Sequence, residues 1–161
     1  MSNSPLTPYT IRDAVADDLD VLMVLAADYL ELLATIRGQA MQAGWRGNFK
    51  AYLRGVLKQQ KLHLRVLDMK GQVAGFCIFG HEPEPLFEAA DTGYIYDLYV
   101  FPDVRKTGCG RALVRDAESV MKKNSVASVS LSSFRGNTGA NLFWQACGYA
   151  PGALRFEKRL E

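Results

Sequence analysis

One run constrains the fold more than any other: Asp97-Leu98-Tyr99-Val100-Phe101-Pro102-Asp103-Val104-Arg105-Lys106-Thr107-Gly108-Cys109-Gly110-Arg111. It begins as strand, and Pro102 ends it because proline cannot continue a ladder. A polar loop follows. A helix then opens at a glycine pair, carried on by Leu113, Val114, Ala117, Val120 and Met121 at helical spacing. Helix N-termini present unpaired N–H groups and a partial positive charge, which suits phosphate. Gly108 and Gly110 let backbone approach a bulky anion that a Cβ would block, and Arg105, Lys106 and Arg111 add charge. Two familiar phosphate loops do not fit. No third glycine or alanine stands where the dinucleotide fold needs one, and Lys106-Thr107 lacks the glycines that precede a P-loop lysine.

The rest of the chain builds a frame around that segment. Residues 9–13 read as a first strand. From Asp17 the apolar positions Leu19, Leu22, Met23, Ala26, Tyr29, Leu30 and Leu33 follow helical spacing, with Asp17 and Asp18 at the favourable end of the dipole. Phe49, Tyr52, Leu53, Val56 and Leu57 give a second amphipathic helix. In residues 61–67, Leu62, Leu64 and Val66 alternate with His63 and Arg65 as in a half-buried strand. Met69-Lys70-Gly71 is a turn, and residues 73–80, apolar on both faces, are a central strand. A loop over residues 81–91 leads to the strand at 94–100. Residues 126–132 are a fifth strand and 137–147 a fourth helix, with Gly148 as a left-handed cap. Leu154, Phe156 and Leu160 make a last strand. The string β-α-α-β-β-β-α-β-α-β predicts an α/β fold: one mixed sheet with helices on its faces.

Composition excludes several classes. At 161 residues, 48% hydrophobic and 22% charged, the chain has ordinary globular usage and fits one domain. Residues 1–8 read as a loose tail and 9–161 as the domain. A net charge of +2 gives no footprint for nucleic acid. The first helix carries Asp20, Asp28 and Glu31, so it is no membrane span. Cys77, Cys109 and Cys147 lack paired metal spacing, and His63 and His81 have no partner at i+3 or i+4. No metal and a reducing, cytoplasmic setting are expected.

Arg105-x-x-Gly108-x-Gly110 resembles the pyrophosphate motif of the GNAT N-acetyltransferases, and Asp97-Leu98-Tyr99-Val100 looks like that family's fourth strand. Asn137-Thr138-Gly139-Ala140-Asn141-Leu142-Phe143-Trp144-Gln145-Ala146-Cys147-Gly148-Tyr149 resembles its second motif. The resemblance implies a mostly antiparallel sheet splayed between the fourth and fifth strands, with acetyl-coenzyme A in the opening. Its pantetheine would bond the backbone of Leu98, Tyr99 and Val100. Its pyrophosphate would sit on Arg105, Lys106, Thr107, Gly108, Cys109, Gly110 and Arg111, with Asn137, Asn141 and Trp144 approaching from the other side.

The implied reaction is acetyl transfer to a primary amine. Two positions depart from better-understood members. Trp144 stands where many carry an acidic tyrosine, and an indole N–H only donates. Ser132 stands where ribosomal-protein alanine acetyltransferases carry a glutamate base. Asp97 is the remaining base, unless it merely caps a loop or pairs with Arg105; Tyr96, Tyr99 and Tyr149 are further candidates. Glu82, Glu84, Glu88 and Asp91 would form an acidic rim that favours a cationic acceptor, a small molecule or a basic peptide. The C-terminal stretch from Gly148 resembles a histone/polyamine acetyltransferase branch, which implies polycationic acceptors and a homodimer. The missing tyrosine and glutamate leave one alternative, a non-catalytic acyl-coenzyme A sensor.

Overall fold

The computed structural model describes residues 8–82, 91–153 and 158. Five strands form one sheet in the order β1 (Thr10–Asp13), β2 (Leu62–Met69), β3 (Gln72–Glu82), β4 (Thr92–Val100), β5 (Ser128–Leu131). The first four pair antiparallel, and β4 with β5 is parallel. The β2–β3 turn works because Lys70 (φ 56) and Gly71 (φ 90) both take positive φ, as a tight hairpin requires. Asp68 Oδ1 accepts from the Gly71 N–H.

Helices α1 (Leu19–Arg37) and α2 (Trp45–Lys58) cover one face of the sheet. They bury Leu22, Leu53 and Val56 against Val66, Phe76, Ile78 and Tyr99. Helices α3 (Cys109–Lys123) and α4 (Thr138–Ala146) serve the other face. There Leu113, Val114, Ala117 and Met121 pack on Leu67, Cys77, Phe79 and Ile95, with Phe143 and Trp144 at the margin. β3 feeds both cores, which explains its apolar run on both faces: Phe76 and Ile78 point one way, Cys77 and Phe79 the other.

The fold class is the one the sequence implies; several boundaries differ. α1 runs to Arg37, where Gly38 (φ 61) caps it, and a 3-10 turn at Ala16–Asp18 precedes it. Arg12 clamps that turn, binding Asp18 at 2.8 Å and Asp68 at 2.9 Å. β3 reaches Glu82 instead of stopping at Gly80, because its outer residues still pair with Thr92 and Gly93. β5 is shorter than residues 126–132, running from Ser128 to Leu131: Val126 N still bonds back to Met121 O of α3. The last strand expected at Leu154, Phe156 and Leu160 lies outside the described residues, as do residues 1–7 of the tail expected at 1–8.

Candidate active site

β4 changes character halfway along. Its pairing with β5 covers Thr92 to Ile95 and ends at the Ile95–Leu131 pair. On the other side, Ile78 faces Asp97 while Phe79 faces Ile95, so Tyr96 is an extra, bulged residue. The bulge and the end of pairing coincide. Among the described residues no strand continues beside 96–100 on the β5 side, while β3 still pairs on the other, so the β5-side edge is open to a ligand that pairs like a strand.

The chain leaves β4 through a 3-10 turn at Pro102–Val104 and enters α3 through Gly108. No side chain caps α3, and its first intrahelical bond runs from Ala112 N to Gly108 O. The N–H groups of Cys109, Gly110 and Arg111 therefore lack helical partners, the condition for an anion cradle. The two glycines have different causes. Gly108 has φ +93, with open space where a Cβ would stand. Gly110 is crowded: a Cβ would lie 3.3 Å from the Phe143 ring and 3.6 Å from Val100. Its smallness thus serves the packing of α3 on α4 as much as any ligand.

Most of the predicted grip residues have partners within the protein. Arg105 donates Nε–H to Val100 O at 2.9 Å and lays its guanidinium 5.2 Å from the Tyr99 ring centre. It does not pair with Asp97. Thr107 donates to Val104 O, and Cys109 is buried. Lys106 (φ 61) and Arg111 are exposed. Arg111 also lines a cavity of about 100 Å³ with Arg115, Glu118 and Cys147. Leu98 and Val100 face the α3 core, and Tyr99 faces the α1 core, buried. Asn137 caps α4 by accepting from Ala140 N, while Asn141 donates to Phe134 O and Arg135 O and accepts from Ser133. Both asparagines brace the loop between β5 and α4. Trp144 stands edge-on to Phe143 and Tyr149, and Tyr149 donates to Glu118.

Asp97 lies on the opposite face from Leu98 and Val100, under α1 and α2. Tyr29 of α1 donates to its Oδ1 at 2.8 Å, and Tyr52 of α2 donates to its Oδ2 at 3.4 Å. Burial pushes the carboxyl above the usual carboxylate range, and the two phenols pull partly back. Both phenols are themselves pushed up, chiefly by burial and then by the Asp97 charge. Tyr94 donates to Ser132 Oγ at 2.7 Å, and its ring lies 4.9 Å from that of Tyr96. The sequence gives no pointer to Tyr29 and Tyr52 as site residues. Tyr29 sits at a core-facing helical position, and no spacing rule links it to a carboxylate 68 residues away.

Of the acidic rim, only Asp91 lies within residues whose side chains are described. Among the described residues, no three His, Cys, Asp or Glu converge on one point, and no helix is long and apolar enough to cross a membrane.

An open edge on β4 thus leads into an uncapped helix, with a half-buried carboxylate on the far side of the strand. The sequence profile of the Acetyltransferase (GNAT) family matches residues 27–149. The chain belongs to that family, and it is an N-acetyltransferase that uses acetyl-coenzyme A. It is 28% identical over 165 residues to an uncharacterized N-acetyltransferase of Methanocaldococcus jannaschii, covering 94% of this chain and 67% of the relative. The fold is similar to that of a tetramutant of the BH1408 protein from Bacillus halodurans, with TM-score 0.85, 21% identity, and 94% and 99% of the two chains covered. It is also similar to an aminoglycoside acetyltransferase from an uncultured soil metagenomic sample, in complex with sisomicin, with TM-score 0.71, 16% identity and coverage of 95% and 97%.

Proposed function

We propose that this acetyltransferase acts on a cationic primary amine, a small polyamine-like molecule or the side chain of a basic peptide, with Asp97 accepting the amine's proton. The observation that carries the reading is the position of Asp97: beside the bulge where β4 leaves β5, and partly buried in an apolar surround. An alkylammonium with pKa of about 10 must lose a proton before it can attack. A carboxylate raised by burial is closer to the strength this needs, and it attracts the cation beforehand.

The acetyl carbon then gains a bond to nitrogen and loses its bond to sulfur. The second amine proton leaves as the amide forms, and the thiolate ends as free thiol. The open backbone of Leu98, Tyr99 and Val100 suits the pantetheine arm, and a β4 N–H suits the developing oxyanion. The N–H groups of Cys109, Gly110 and Arg111, with Lys106 and Arg111 side chains nearby, suit the pyrophosphate. Arg105 and Thr107 hold the loop in shape, and Asn137, Asn141 and Trp144 form the wall opposite. Likeness of the C-terminal stretch to the histone/polyamine branch, and the aminoglycoside acceptor of one structural neighbour, support the cationic class.

Thiol release from acetyl-coenzyme A, measured against alkyl diamines, polyamines, aminoglycosides and lysine-rich peptides, tests the reading. Turnover is expected with cationic primary amines and is expected to fall steeply in Asp97→Asn. Preference for neutral or aromatic amines would overturn it.

A further inference from the structure

The two oxygens of Asp97 are not equivalent. Oδ1 receives a short bond, 2.8 Å, from Tyr29, whose ring is wedged between Phe76 (6.1 Å, edge-on) and Tyr99 (5.8 Å). Oδ2 receives a long one, 3.4 Å, from Tyr52, a ring on the rim of α2 that remains 38% exposed. Tyr52 can swing away at little cost; Tyr29 cannot. We propose that Tyr29 and Tyr52 are positioning residues with divided roles: Tyr29 locks the Asp97 carboxylate through Oδ1, and Tyr52 shields Oδ2 until an alkylammonium displaces it and gives its proton to that oxygen.

The proposal rests on Asp97 being the base. The proton leaves R–NH₃⁺ for Oδ2, so that the ammonium becomes a neutral amine and the carboxylate a neutral acid, later reset by loss of that proton to water. The groups around Asp97 leave the phenols as its main support. From α1 there is Tyr29, with Asp28 beyond it near the Tyr99 hydroxyl; from α2, Tyr52; from β3, Cys77, a buried thiol that stays neutral; from β4, Tyr96 and Tyr99. Arg105 is turned to the Tyr99 ring and Val100 O. Among the described residues no cation lies within ion-pair distance of Asp97. Burial drives the carboxyl toward its neutral form, and two donated hydrogen bonds are what oppose it.

Carboxyl ¹³C NMR of the full chain with labelled aspartate tests this directly, the Asp97 resonance being assigned by its loss in Asp97→Asn. Tyr29→Phe is expected to raise the Asp97 midpoint by about one pH unit, the scale of one hydrogen bond to a charged group. Tyr52→Phe is expected to raise it less. With acetyl-coenzyme A and 1,4-diaminobutane, the acidic limb of kcat/KM moves to higher pH by the same amounts. Tyr29→Phe lowers kcat more than Tyr52→Phe does. Unchanged midpoints in both variants would overturn the proposal, and so would a larger shift from Tyr52→Phe than from Tyr29→Phe. Midpoints that move as expected, with full turnover in Asp97→Asn, would instead show that the base assignment had failed and the proton transfer with it. Tyr52 is half-exposed, so its variant remains informative even if Tyr29→Phe loses the fold.

Discussion

The two faces of β4 solve opposite problems. On the α3 face, the strand and the loop after it are packed for closeness: Val100 and Leu98 pack inward, Gly110 fits under Phe143, and Arg105 ties the strand end to its own loop. Charge there comes from unpaired N–H groups, which cost little to keep near water. On the α1 face, one carboxylate is held beneath two helices by neutral donors. That arrangement sacrifices stability, because a partly buried anion without a cation is disfavoured. On the proposed assignment one face grips and the other holds a charge that burial disfavours. The binding half would then be built from backbone, and the reactive half from side chains held by separate helices.

The largest expected effect breaks the comparison at its reactive half. Asp97→Asn is expected to lower turnover by about two to four orders of magnitude, the usual contribution of a positioned base, and to remove the acidic limb of the pH–rate profile. Calorimetric affinity for acetyl-coenzyme A should remain near wild type. A parallel loss of affinity would mean that the two faces are not separable. If turnover survived at every pH, alignment of amine and thioester would be doing the catalysis, and alignment can lower a barrier by about 7–11 kcal/mol.

The glycine pair sharpens the other half. Gly108→Ala is expected to cost about 1–2 kcal/mol from strain at positive φ, and to weaken acetyl-coenzyme A roughly tenfold as the first turn of α3 is re-aimed. Gly110→Ala should cost stability through Phe143 instead, by up to about 1–3 kcal/mol for overpacking. Thermal unfolding of Gly110→Ala with and without Phe143→Leu separates the cases: the second change should restore much of the loss at Gly110 and none at Gly108.

Arg105→Ala removes one hydrogen bond to Val100 O and a stacked guanidinium, together about 1–2 kcal/mol of stability. Coenzyme A and a pantetheine fragment without pyrophosphate should then lose affinity alike, because the residue shapes β4. A selective loss for coenzyme A would return Arg105 to direct phosphate contact.

The smallest effect carries a sign that only the reactive face predicts. The folded-state pKa of Asp97 is raised, so the unfolded chain gives up this proton at lower pH, near about 3.9. Between that value and the folded midpoint the native state binds more protons, and stability falls as pH rises. Asp97→Asn should therefore raise the melting temperature at neutral pH, and the gain should vanish as pH falls below the unfolded value. A destabilised variant at neutral pH would show that the hydrogen bonds outweigh the burial cost.

Local instructions account for what the sequence alone determined. Helical and strand periods, Pro102 as a stop, Lys70-Gly71 as a turn and the glycine pair at a helix start each depend on residues a few positions apart, whose backbone preferences are written in their side chains. They sufficed for the order of the helices and strands from β1 to α4, the α/β class, the mixed sheet and the place of Asp97 on the face away from Leu98 and Val100. What only the tertiary structure decided are pairings across long separations. Asp97 meets Tyr29 and Tyr52, 68 and 45 residues away, instead of Arg105. Gly110 meets Phe143, and the bulge at Tyr96 falls where β5 ends. Those outcomes depend on how α1 and α2 are rotated and seated on the sheet. That seating is set by the summed packing of Leu22, Leu53, Val56 and Phe76, and no short-range pattern encodes which phenol it delivers to which oxygen.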